Sequence, residues 1–184
     1  MFRAISKWIL DLLGWKITGR YPHELKKFII IVIPHTSNWD FPLGVLVRSA
    51  LRADAKFLAK NTLFRPPIGW FFRWLGGYPV ERSKSHGYVE SVVDIFNKED
   101  AFVIAIAPEG TRGKVSRLKT GFYYIALGAK APIVMIKLDY SRREVGIGEP
   151  FYPNGDLEAD MRAINEFFKD ARGKNPELGI DIYS

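Results

Sequence analysis

Residues 34–40 read PHTSNWD and residues 107–122 read APEGTRGKVSRLKTGF. In the first stretch His35 follows a β-branched run closed by Pro34, and Asp40 comes five positions later. A carboxylate folded back onto an imidazole fixes its tautomer and stabilises the imidazolium formed when the other nitrogen takes a proton. On one continuous helix, positions five apart point about 140° away from each other. Such a pair therefore needs a bend between its members, and proline, histidine and three small polar residues supply one. The same residues also read as a plain helix start, with Asp40 a favourable charge in the first turn and His35 a loop residue. Both readings are open at this point.

In the second stretch Pro108, Gly110 and Gly113 punctuate a turn, and Arg112, Lys114, Arg117 and Lys119 place four cations within eight positions. Glycine-containing turns beside arginine and lysine bind phosphate through backbone amides and side-chain forks. A solvated basic loop has the same composition. Glu109, a carboxylate among these cations, is suited to positioning the arginines or to accepting from a substrate hydroxyl. A third stretch, LGGYPVERSKS (75–85), ends a strand-like run and offers Arg82 as a candidate further phosphate ligand, unremarkable on its own.

Strand-like and helix-like segments alternate around these stretches. FIIIVI (28–33) reads as a buried strand, followed by a helix over 38–51 capped by Ser37 or Asn38. Pro42 is tolerated there, because first-turn amides have no intrahelical partner to lose. Strands are expected at 55–60, 77–82, 101–108, 132–140 and 144–152. Helices are expected at 88–98, with Val89, Val92, Val93 and Phe96 inward, at 121–130 ending near Gly128, and from Asp156 to about Arg172, closed by Gly173. Near-continuous apolar strands separated by helices predict an α/β layered single domain with a central, mostly parallel (mixed) sheet covered on both faces. Functional groups in such folds gather beyond the carboxyl ends of strands, where His35 and Glu109 both fall.

The first fifteen residues carry Phe2, Ile5, Trp8, Ile9, Leu12 and Leu13 at three- and four-residue spacing. This predicts an amphipathic helix, packed on its own domain or lying in a membrane surface. The chain divides on this basis into a membrane-surface helix, residues 1–16, and a domain over 17–184. The stretch LFRPPIGWFFRWLGG (63–77) interleaves Trp70, Phe71, Phe72 and Trp74 with Arg65 and Arg73, which suits either the core or a lipid interface.

Composition narrows the classes of function. The chain has 184 residues, 47% of them hydrophobic, and no cysteine. Disorder, disulfides, thiolate nucleophiles and cysteine-ligated metal are excluded, and three scattered histidines with no HxxxH pairing argue against zinc. A net charge of +7 with 14% aromatic residues suits a polyanion or an anionic membrane. The longest apolar runs are far shorter than the roughly 18 residues of a membrane span, and Asp11 and Lys16 interrupt any signal-like segment. The expected location is the cytosol or the cytoplasmic face of a membrane.

HTSNWD (35–40), GGYPVER (76–82), PEGTR (108–112) and APIVMI (131–136) occur in that order. This ordered set, with its His-x4-Asp element, resembles the glycerolipid acyltransferase family, best known for its 1-acyl-glycerol-3-phosphate (lysophosphatidic acid) acyltransferases. The resemblance spans roughly residues 28–140. It implies direct acyl transfer to a glycerol hydroxyl from a thioester on acyl-CoA or acyl-carrier protein, with no metal, no other cofactor and no nucleic-acid partner. By the same resemblance His35 is the general base and Asp40 its orienting partner. Arg82, Glu109 and Arg112 hold the acceptor, Gly110 and Thr111 shape the loop, and Lys119 is a further anion contact. Pro34 stands where many members have asparagine, and Glu81-Arg82 where Asp-Arg is usual. These departures leave other acceptors open, such as a lyso-lipid with an amino-acid headgroup.

Two other classes of function fit parts of the sequence. A serine hydrolase would pair Ser37 or Ser83 with His35, but the chain contains no GxSxG elbow. A membrane- or RNA-binding module without chemistry would use the charge and the aromatics alone.

Overall fold

A computed structural model describes residues 2–80 and 87–180. Seven strands form one sheet in the order β1-β7-β6-β2-β5-β3-β4. These are β1 (Lys16–Thr18), β2 (Lys27–Ile33), β3 (Ala55–Lys60), β4 (Gly77–Val80), β5 (Phe102–Ile106), β6 (Ile133–Asp139) and β7 (Glu144–Ile147). All neighbouring pairs are parallel except β6 with β7, so the sheet is mostly parallel and mixed, as expected. The helices are α1 (Phe2–Leu12), α2 (Asp40–Leu51), α3 (Gly69–Trp74), α4 (Tyr88–Lys98), α5 (Gly121–Ala129) and α6 (Leu157–Phe168).

The central strand β2 explains the layering. Its residues alternate, so Ile29, Ile31 and Ile33 pack with Val92 and Phe96 of α4, Phe122 and Ile125 of α5, and Ile164 and Phe168 of α6. Phe28 and Ile30 point the other way, toward Leu10 of α1 and Leu43 and Val47 of α2. Burying both faces of a strand requires a continuous apolar run, and each fully buried isoleucine or phenylalanine contributes about 1.5–3 kcal/mol.

The neighbouring strand β5 has unequal faces. Phe102 and Ile104 fill the core under α4 and α5. Toward α2 the strand carries Ala105, with Ala107 just beyond its end, and β3 contributes Ala55. These short side chains leave an open space between sheet and helix.

Several boundaries differ from the sequence expectation. The helix expected from 38 begins at Asp40, with Trp39 at its cap position, so neither Ser37 nor Asn38 caps it. Helix α5 runs past Gly128 to Ala129 and is closed by Lys130 at φ 50°. Helix α6 does start behind an Asp156 cap, whose carboxylate accepts from the Ala159 amide, but it ends at Phe168, and Gly173 has a different task described below. The run expected over 144–152 is the short strand β7 followed by an isolated bridge between Ile133 and Phe151.

Helix α1 packs against α2 through one edge only. Ser6 and Leu10 are buried, Ser6 Oγ donates to Ser49 Oγ at 2.9 Å, and Arg3 Nε donates to the Ala50 carbonyl. Phe2, Ile5, Trp8, Leu12 and Leu13 remain exposed, so most of the apolar stripe faces outward. Among the described residues, no helix is long and apolar enough to cross a membrane.

Candidate active site

The turn 34–39 leaves the carboxyl end of β2, and the loop from Ala107 leaves the carboxyl end of β5 beside it. The two strands are parallel and directly paired, so both connections emerge at the same edge. Here the chain brings together residues 74 positions apart: Oε2 of Glu109 accepts from the backbone amide of His35 at 2.7 Å.

Nδ1 of His35 lies 3.1 Å from Oδ2 of Asp40. The bend between them is closed reciprocally. The Asp40 amide donates to the Ser37 carbonyl at 3.3 Å, while Oδ2 of Asp40 accepts from the Ser37 amide at 2.9 Å. A carboxylate reaching back three residues is half of a capping box, used here inside the turn. The other oxygen, Oδ1, accepts from the hydroxyl of Tyr140 at 2.7 Å. Asp40 is buried, whereas the His35 side chain is 22% exposed, so one imidazole nitrogen is engaged and the ring still reaches solvent.

The electrostatics follow from burial and these bonds. Burial raises the Asp40 carboxyl, but hydrogen bonds from His35, Tyr140 and the Ser37 amide outweigh it and hold the group below its ordinary value. Glu109 is pushed up to about 7, chiefly by burial and secondarily by the Asp40 charge, against the lowering effect of His35. The Tyr140 hydroxyl is raised by burial and by its bond to the Asp40 carboxylate, and so stays a proton donor.

The space under α2 is a cleft of about 720 Å³ with His35 and Asp40 in its wall. It runs beside α2 past Phe41, Gly44, Val45 and Arg48 to Leu51, a length of about 16 Å at 1.5 Å per residue. Tyr21, Ala53 and Val145 also contribute to its lining. Gly44 stands in mid-helix, yet a Cβ there would meet nothing within 4 Å, so packing does not require the glycine.

Of the other expected site residues, Gly110, Thr111 and Arg112 border this cleft. Gly110 has φ +69°, in the left-handed region that favours glycine, and a Cβ there would also strike the Lys119 side chain. Glu109 and Lys119 line an adjoining recess with Lys114 and Arg117. Among the described residues Arg112, Lys114, Arg117 and Lys119 make no ion pair. Arg82 lies outside the described residues. Tyr140 escaped the sequence reading, which took it as the last residue of a strand; a partner 100 positions away leaves no local signal.

Fold and turn together define the class: an α/β protein with a histidine–carboxylate pair at the carboxyl edge of a parallel sheet. The sequence model of the Acyltransferase family matches residues 15–138. The chain belongs to that family. It is 31% identical over 147 residues to the 1-acyl-sn-glycerol-3-phosphate acyltransferase of Saccharomyces cerevisiae, across 73% of this chain and 46% of that protein. The chain thus spans about half the length of that curated relative. Its fold resembles the crystal structure of the 1-acyl-sn-glycerophosphate (LPA) acyltransferase PlsC from Thermotoga maritima, with a TM-score of 0.57 and 20% identity, covering 91% of this chain and 75% of that one.

Proposed function

We propose that the protein is an O-acyltransferase that moves a fatty acyl group from a thioester, on acyl-CoA or acyl-carrier protein, to the hydroxyl of a lysophospholipid-like acceptor in phospholipid biosynthesis. The first acceptor to test is 1-acyl-glycerol-3-phosphate, the substrate in the yeast relative's name. One observation carries the reading: an imidazole tied through Nδ1 to a buried carboxylate stands in the wall of a long apolar cleft.

With Nδ1–H directed at Asp40, Nε2 is the nitrogen left to accept a proton. It takes the proton of the acceptor hydroxyl as the oxygen attacks the thioester carbonyl, and Asp40 stabilises the imidazolium. The attack forms the ester C–O bond, and the tetrahedral intermediate then collapses with re-formation of the carbonyl and cleavage of C–S. The departing thiolate takes the proton from Nε2, which returns His35 to its starting form. General-base assistance of this kind contributes about 10²–10⁴-fold. The acyl chain lies in the cleft, whose lining from β2 and β5 is apolar. The headgroup phosphate is met by the exposed cations Arg112, which borders the cleft, and Lys119, which lines the adjoining recess, with Arg82 as a further ligand.

The same reading places the protein peripherally on the cytoplasmic face of an anionic membrane, with no nucleic-acid partner. Its supports are the outward stripe of α1, exposed Trp70 and Trp74 of α3, exposed Trp39 and Phe41 beside the cleft, and the net charge of +7. Each basic residue near an anionic surface adds about 1 kcal/mol of binding. Cosedimentation with anionic vesicles and its absence with neutral ones is expected, with weaker retention of oligonucleotides at matched salt.

The deciding assay incubates the protein with labelled acyl-CoA or acyl-carrier protein and a lysophospholipid panel, and identifies the product by mass. Expected is one acylated phospholipid and no labelling by a serine-directed probe. No acylated product from either donor, or an acyl-serine adduct, overturns the reading.

A further inference from the structure

The match to the family ends at residue 138, yet the chain beyond that point returns to the His35 turn twice. Tyr140, the first residue after β6, donates its hydroxyl to Oδ1 of Asp40 at 2.7 Å. Its backbone amide donates to the carbonyl of Arg172 at 2.8 Å, which draws the segment 172–175 alongside. Its ring meets Trp15 edge-on at 4.9 Å, so the tyrosine is held from three directions.

The segment that Tyr140 draws in contacts the residue after His35. The Asn175 amide donates to Oγ1 of Thr36 at 3.2 Å, and Nδ2 of Asn175 donates to the Thr36 carbonyl at 2.8 Å. Gly173 is buried so closely against Thr36 that a Cβ there would collide with Oγ1. Nζ of Lys174 lies 4.6 Å from the centre of the Trp39 ring, at the end of the same turn.

Residues 34–39 have no regular secondary structure of their own. A general base must nevertheless be held close to its productive geometry, and loops do this less well than helices or strands unless other groups support them. His35 has Thr36 fixed on one side and its carboxylate partner fixed on the other, both by residues from beyond the matched region. With Oδ1 bound to Tyr140 and Oδ2 bound to His35 and Ser37, the carboxylate cannot rotate without breaking a buried hydrogen bond.

We propose that Tyr140 and the Gly173–Asn175 segment form a clamp whose role is to position the His35–Asp40 turn. Tyr140 and Asn175 are positioning residues, and Gly173 is glycine because the clamp must close on Thr36. The proposal rests on the proposed role of His35 as base.

The test uses the full chain with Tyr140→Phe, Asn175→Ala and Gly173→Ala. Three quantities are read: kcat and KM with a thioester donor and lysophospholipid, the thermal midpoint, and the downfield proton NMR signal of His35 Nδ1–H in the free protein. A displacement of the base by a fraction of an ångström lowers kcat on the order of ten- to a hundredfold. The expected result is such a loss in Tyr140→Phe, with both KM values within about twofold and the downfield signal shifted or broadened away. Asn175→Ala and Gly173→Ala should follow in the same direction. Tyr140→Phe, isosteric apart from one hydroxyl, keeps the test valid if Gly173→Ala does not fold. An unchanged kcat and an unchanged imidazole signal in Tyr140→Phe and Asn175→Ala, whatever the thermal midpoint, would reduce the segment to ordinary packing and overturn the clamp. The NMR signal is read without turnover, so absence of acyl transfer in the parent protein would count against the enzyme reading while the clamp is still decided by the spectrum.

Discussion

The turn after β2 and the loop after β5 leave paired parallel strands side by side, and they are built in opposite ways. In the turn, Thr36, Ser37 and Asp40 are buried, and Asp40 receives bonds to both carboxylate oxygens. In the loop, residues 110–114 are exposed, and the cations Arg112, Lys114, Arg117 and Lys119 have no ion-pair partner among the described residues. The difference suits the two tasks proposed for them. A proton acceptor must be aimed, so its surroundings are over-determined; an anion-binding loop must meet a ligand, so its charges are left uncompensated. Glu109 joins the two, belonging to the loop by sequence and to the turn through its bond to the His35 amide.

The largest expected effect is on the turn. Asp40→Asn keeps the shape but loses the charge that stabilises the imidazolium, and kcat should fall by about 10²–10⁴-fold with little change in KM. Steady-state kinetics check this, and a loss confined to KM would break the contrast between turn and loop.

Glu109 sharpens it through pH. Its folded value of about 7 lies above its ordinary value of 4.5, so between those limits the folded chain holds a proton that the unfolded chain has released. Stability from this group therefore declines as pH rises through that window and is level above it. Asp40 acts in the opposite sense, stabilising the fold above its ordinary value and ceasing to do so as pH falls through its lowered folded one. Glu109→Gln can still accept from the His35 amide but cannot titrate. It should flatten the decline and be more stable than the parent above pH 7, by on the order of 1–3 kcal/mol. Urea denaturation at several pH values measures this, and parallel profiles for the two proteins would contradict it.

Arg112→Ala and Lys119→Ala should each raise the acceptor KM by about tenfold while sparing kcat, because binding to an unreacting phosphate is equal in ground and transition states. Added salt should shrink the difference. A kcat loss instead would mean that the loop also aims the base.

The smallest effects belong to the cleft. Gly44→Ala should stabilise the protein by about 0.5–1 kcal/mol, the mid-helix penalty of glycine, since nothing stands where its Cβ would go. Gly44→Leu should lower transfer of palmitoyl relative to hexanoyl thioesters by about tenfold. A chain-length profile like the parent's would show that the acyl group lies elsewhere.

Much of this was legible in the residues, for identifiable reasons. The apolar runs at 28–33 and 101–108 are long and β-branched enough to be read as strands without help, and both lead to site residues. Strand β1, only three residues long, carries too little pattern to be read, and α3 is hidden inside an aromatic stretch. Ser37 and Asn38 suggested a helix cap by composition; in the fold the roles are reversed, and the Ser37 amide donates to the Asp40 carboxylate. Tyr140, Gly173 and Asn175 owe their contacts to tertiary packing over 100 positions or more, which no local spacing reveals. The cleft left a faint trace in Ala105 of β5, in Ala107 just beyond it and in a glycine at mid-helix.

Replacing His35 by alanine tests the central claim most directly, with acyl transfer from a labelled thioester and the thermal midpoint measured on the same sample. The account predicts a folded protein whose transfer rate has fallen to the background reaction. A folded variant that transfers at near the parent rate would remove the imidazole from the chemistry, and with it the reason for everything that holds it in place.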